Sequence, residues 1–142
     1  MEKIPCGQWM YFVNPPAKTS DKRGKWFYNY DFDDVEQAAQ ICERAVKEHI
    51  VDEAKYTKVK PKDKDTGIVC FYLDIDDLEG HKKIITYMLD NNLIQKTKDG
   101  RLYNLSFKLN IQTKSGEYGK DFKAKLKLSD LIDLSTGEWK DK

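Results

Sequence analysis

The residues of this chain best suited to chemistry are polar ones set at two-residue steps. Between Tyr103 and Gln112, the side chains of Asn104, Ser106, Lys108, Asn110 and Gln112 alternate with Tyr103, Leu105, Phe107, Leu109 and Ile111. Such alternation predicts a strand with one apolar side, turned toward helices, and one side carrying amides, a hydroxyl and an ammonium group. After a turn at Ser115-Gly116, Tyr118, Phe122, Ala124, Leu126 and Leu128 alternate with Lys123, Lys125 and Lys127, which predicts a partner strand adding lysines to the same surface. Trp9, Tyr11, Trp26, Tyr28 and Tyr30 recur at the same step and offer flat rings. Rings that stack a base, amides that read its edge and lysines that meet phosphate are what nucleotide recognition requires. The plainer use of the same residues is a solvated strand face and aromatics packed in a core.

Other chemistry finds less material. Asp74, Asp76, Asp77 and Glu79 form an acidic cluster, but their spacing does not continue into a twelve-residue calcium loop, and Asp77 is better placed as a helix N-cap. His81 lies among Lys82 and Lys83, where exposure is expected, and His49 falls at a helix C-terminus, where imidazole complements the dipole. Cys6, Cys42 and Cys70 are odd in number and lack CxxC spacing, so reduced thiols acting as small hydrophobes are expected and no metal is called for. There is no Walker loop, GxSxG or GxGxxG.

The elements that must position these residues follow from period and punctuation. Gln8 to Val13 reads as a strand stopped by Asn14-Pro15-Pro16, and Gly24 to Tyr30 as a second, forming with the first an N-terminal hairpin over 8–31. Asp33 is placed to cap a helix, with Glu36 completing a capping box; Val35, Ala38, Ile41, Cys42, Ala45, Val46 and His49 give it one apolar face. Ile50 to Lys58 reads as a short strand, and Ile68 to Leu73, nearly continuous in apolar residues, as a central strand covered on both sides. A second helix follows Asp77, with Leu78, Ile84, Ile85, Met88 and Leu89 in helical period. Residues 33–128 make the core and 129–142 a short C-terminal tail. The expected fold is α+β, an antiparallel-rich sheet of about six strands with two main helices on one face.

The chain has 142 residues, enough for one domain with a sizeable core, and 39% are hydrophobic, 12% aromatic and 35% charged. That mix is too aromatic for disorder, and its longest apolar runs are too short to span a bilayer. Twenty-five basic residues offset 24 acidic ones, for a net charge of +1, which argues against a nucleic-acid binder working by bulk charge. The start, Met1-Glu2-Lys3 with Pro5 and Cys6 close behind, lacks the apolar core of a signal peptide, so cytoplasmic residence is expected.

Gly24-Lys25-Trp26, the first helix, Glu53-Ala54-Lys55, the strand from Ile68 to Tyr72 running into Asp74 and Asp77, and Phe107-Lys108 with Thr113, Gly116 and Tyr118 occur in a familiar order. They resemble a small family of uncharacterised proteins that carry a phosphothreonine lyase label, with a fold similar to the initiation factor that binds the mRNA cap. The resemblance covers roughly residues 24 to 119. It implies a curved antiparallel sheet, helices on its convex side and a concave polar and aromatic face. β-Elimination of phosphate needs a base, an acid and cations around the phosphate. On the resemblance, Lys55 and Lys108 serve as base or phosphate ligand; His49 or His81 could supply the acid, although structural roles are expected of both. The bacterial effector lyases surround phosphate with several arginines, whereas this chain has Arg23, Arg44 and Arg101 alone, which weighs against the enzyme.

The expected function is therefore non-catalytic capture of a nucleotide-like or phosphorylated small ligand, in the manner of a phage protein that soaks up a nucleotide immune signal. The alternatives are a lyase-like enzyme and a protein-interaction or inhibitor module using the N-terminal aromatics. The candidate ligand-binding residues are Trp26, Tyr28, Lys55, Asn104, Ser106, Lys108, Asn110 and Tyr118; no catalytic residue, cofactor, bulk nucleic acid or membrane is expected, and a homo-oligomer is compatible with the reading.

Overall fold

A computed structural model describes residues 1–15, 20–114 and 124–140. Seven strands build one open sheet: β1 (Glu2–Cys6), β2 (Trp9–Val13), β3 (Arg23–Asp31), β4 (Glu53–Thr57), β5 (Thr66–Asp74), β6 (Ser106–Leu109) and β7 (Leu126–Lys127). Their spatial order is β1-β2-β4-β5-β3-β6-β7, and every neighbouring pair is antiparallel. Helices α1 (Val35–Lys47) and α2 (Leu78–Asp90) pack on one side, and a short α3 (Asn110–Lys114) follows β6. The α+β architecture expected from the sequence is thus the one observed.

Register decides which residues share a face, because side chains opposite each other on antiparallel strands point the same way. Phe12, Ala54, Phe71 and Trp26 lie in one row across β2, β4, β5 and β3. This row meets Ile41, Cys42, Ala45 and Val46 of α1 and Ile84, Ile85 and Met88 of α2 in a single core. Tyr87 of α2 ties the layers together: its ring meets Phe71 edge-on at 6.2 Å, and its hydroxyl donates to the Ile41 carbonyl of α1 at 2.6 Å. On β5, Val69, Phe71 and Leu73 face the helices while Cys70 and Tyr72 face away, yet the latter two are only 3% and 6% exposed. The double covering expected of this central strand is present.

Several expectations are corrected. β2 and β3 do not form a hairpin: β2 pairs with β1 and β4, and β3 with β5 and β6. The unforeseen β1 takes the place beside β2; its uniformly exposed residues and its proline suit an edge strand, and they hide the alternation that would reveal it. The capping box at Asp33 is absent. Asp31 instead caps a 3₁₀ turn at Phe32–Asp34, accepting from the Asp33 amide, and α1 starts at Val35. The strand predicted over 103–112 is regular only at Ser106–Leu109; beyond it the backbone turns into α3, so Ile111 is exposed and Gln112 buried, the reverse of the predicted sides. The partner strand around Tyr118 falls mostly outside the described residues, which retain β7. The C-terminal segment is no loose tail, since Leu128, Leu131 and Ile132 are core residues and Trp139 forms a bridge with Ile132.

Candidate ligand-binding face

The sheet face turned away from α1 and α2 carries the candidate lysines and rings. Tyr11, Lys55, Cys70 and Phe27 lie opposite one another across β2, β4, β5 and β3. In the next row, Glu53, Tyr72, Lys25 and Lys108 line up across β4, β5, β3 and β6. Trp9 stands two residues from Tyr11 on the same side of β2, and Ser106 two residues from Lys108 on β6, opposite the exposed Lys127. The strand period therefore gathers four lysines and four aromatic rings from six strands onto one surface.

Lys55 is the centre of the group. Its Nζ lies 3.9 Å from the ring centroid of Trp9, 5.4 Å from that of Tyr11 and 6.0 Å from that of Tyr72, and it reaches the Tyr11 hydroxyl at 3.5 Å. All three separations fall within cation–π range. Lys25 approaches the same Tyr72 ring, at 5.8 Å. Burial holds the Lys25 ammonium below the usual lysine range, and the charges of Lys55 and Lys108 push the same way. Lys25 and Lys108 are direct cross-strand partners, an arrangement in which like charges repel. Beneath them, burial raises the Cys70 thiol to about 11, so it stays protonated and unreactive near neutrality.

Among the described residues Glu53 shares a row with these lysines, and it is occupied. Glu53 accepts from Arg23 at 2.9 Å, while the same guanidinium nitrogen meets Asp52 at 2.8 Å; the Arg23 side chain is 5% exposed. Below this bridge opens a cleft of about 540 Å³ between the end of β5 and the start of α2. Five carboxylates, Asp52, Asp74, Asp76, Asp77 and Glu79, outnumber Arg23 and Lys83 in its lining, so its field disfavours phosphate. Asp77 accepts from the Gly80 amide as the expected N-cap, and Asp76 pairs with Lys22 at 2.8 Å. Among the described residues, no three His, Cys, Asp or Glu side chains are placed to hold a metal ion.

The sequence-derived candidates divide sharply. Lys55, Ser106 and Lys108 stand on the lysine-bearing face, together with Trp9 and Tyr11 from the wider set of rings. Trp26 and Tyr28 do not. Trp26 is 0% exposed on the helix side, donating from Nε1 to His81 Nδ1 at 2.9 Å, and Tyr28 stacks on Phe71 at 6.2 Å. Asn104 precedes β6, and its Oδ1 accepts from the Ser129 amide at 2.9 Å, clipping the C-terminal segment in place. Asn110 opens α3 with a buried Oδ1 that has no hydrogen-bond partner among the described residues. Tyr118 lies outside the described residues.

His81, expected to be exposed, is buried between Trp26 and Phe107. Indole N–H only donates, so Nδ1 is the acceptor and Nε2 carries the proton, which it gives to the Ile75 carbonyl at 2.9 Å. His49 closes α1 in the left-handed region, φ +57°, beside Asn14 Nδ2 at 3.3 Å. Neither histidine is on the lysine face. Sequence reasoning missed Lys25 and Tyr72. Lys25 was within reach, because a core Trp26 forces its neighbour to the opposite side; Tyr72 sits in an apolar run where alternation is invisible. Compared with known proteins, the chain matches no family model and no curated sequence.

Proposed function

We propose that this face captures a nucleotide-like or phosphorylated small ligand and holds it without turnover. The observation that carries the reading is the ammonium of Lys55 over the Trp9 ring at 3.9 Å, on the same surface as the opposed Lys25 and Lys108. A flat ring beside several cations suits a ligand with a stackable group and an anionic group. Lysines without an arginine fork favour a loosely oriented phosphate over a rigidly gripped one.

The lyase alternative is less well supplied. Lys55 and Lys108 do share the face, but His81 is committed to Trp26 and Ile75, and His49 to the end of α1. Arg23 is engaged by Asp52 and Glu53, and Arg44 by Tyr87 and Asn91. The interaction-module alternative loses Trp26 as a contact residue.

Thermal melting against a panel of nucleoside mono-, di- and triphosphates tests the proposal. A ligand at about 100 times its Kd adds about 2.7 kcal/mol, which moves the midpoint by several degrees. The shift should shrink in Lys108→Met. A panel without any shift argues against the reading.

A further inference from the structure

We propose, resting on the reading above, that Lys55 is a built-in competitor for the Trp9 ring, so that the site selects molecules carrying a flat ring and a phosphate together. Lys55 Nζ occupies the ring face at 3.9 Å and also leans on Tyr11 and Tyr72. Among the described residues no carboxylate lies within ion-pair distance of it, and the nearby Glu53 is bound to Arg23. Its charge is therefore balanced mainly by rings.

A base stacking on that face of Trp9 must take the place of the ammonium. Lysine's four-carbon stem is flexible, and the neighbouring row of Tyr72, Lys25 and Lys108 lies on the same face for the displaced Nζ to swing toward. A bare nucleoside loses the cation–π contact, a penalty of roughly two- to thirtyfold in affinity, and recovers nothing. A nucleoside phosphate gives the displaced ammonium a new anionic partner. Inorganic phosphate alone meets the lysines without the stacking term. Lys55 thus couples the two halves of the ligand, and its removal should change their affinities in opposite directions.

Calorimetric titration of wild type and Lys55→Met with the four nucleoside triphosphates, the four matching nucleosides and inorganic tripolyphosphate tests this, with circular dichroism confirming that the variant is folded. The expected result is that wild type prefers one triphosphate over its nucleoside. In Lys55→Met that triphosphate should bind about tenfold more weakly, while the nucleoside binds several-fold more tightly. A variant that weakens both ligands, or leaves the nucleoside unchanged, overturns the competitor role while the capture reading stands. Wild type that binds no triphosphate overturns the capture reading, and the competitor role with it.

Discussion

Two tryptophans on adjacent parts of the sequence pattern do opposite work. Trp9 is half-buried on the lysine face, and Trp26 is sealed under α2 with its indole N–H bonded to His81. Trp9→Ala should therefore leave the fold intact and weaken ligand binding by about 1–3 kcal/mol, as loss of one stacking ring does. Trp26→Ala should cost about 3–5 kcal/mol of stability through the cavity it leaves. Melting and titration of both variants separate the two roles. His81 adds a pH dependence. Burial lowers its affinity for a proton, more than the carbonyl of Ile75 and the carboxylates of Asp77 and Asp76 raise it. Protonating Nδ1 would also set two donors, His81 and Trp26, against each other. The unfolded chain takes up that proton near 6.5, so it binds more protons than the fold below that pH. Stability is then complete above about pH 6.5 and declines as pH falls toward 5. Urea midpoints across that range should show the decline, and His81→Gln should flatten it. The site was legible in the sequence only to the level of residue type: aromatics at two-residue steps were plain on both strands, but their phase was not. On β2 the Trp–Tyr side faces away from the helices, and on β3 it faces them, a choice made by packing against α2 that no local pattern encodes.

At the scale of elements, the amphipathic helices and the central strand were readable because burial imposes a strong period on them. α1 buries Ala38, Ile41, Cys42, Ala45 and Val46 as its spacing demands, and β5 is covered on both sides. Pairing was not readable. The order places β4 and β5 between β2 and β3, a consequence of long-range contacts, and the edge strand β1 is too exposed to leave a pattern. The alternation of 103–112 misled beyond Leu109, where the amide of Leu109 is bonded by the buried Gln112 side chain at 3.1 Å and α3 takes over. The join between β3 and β6 holds Lys25 opposite Lys108, and it depends on Gly24. A Cβ there would lie 2.7 Å from the Lys108 carbonyl oxygen and press on the Phe107 ring. Backbone on one side and a fully buried ring on the other cannot both give way. Gly24→Ala should lower stability by about 1–3 kcal/mol, the range for overpacking, and should weaken ligand binding further by displacing Lys108. Denaturation and titration of this variant check both effects.

For the whole molecule, a net charge of +1 conceals strong segregation. Lysines 25, 55, 108 and 127 gather on one sheet face, while Asp52, Asp74, Asp76, Asp77 and Glu79 gather around the cleft at the start of α2. The chain total argues against wholesale attraction to nucleic acid, and on the proposed reading the local gathering of lysines draws a small anion. Among the described residues no helix is long and apolar enough to cross a membrane. The central claim is that the lysine-bearing face holds a ring-bearing phosphorylated molecule without converting it. Heat denaturation of the purified protein followed by mass spectrometry of the supernatant tests it most directly. The account predicts an intact nucleotide-like phosphate released from wild type and recovered in smaller amount from Trp9→Ala and Lys55→Met. An empty extract from wild type, together with no thermal shift across the nucleotide panel, would contradict it.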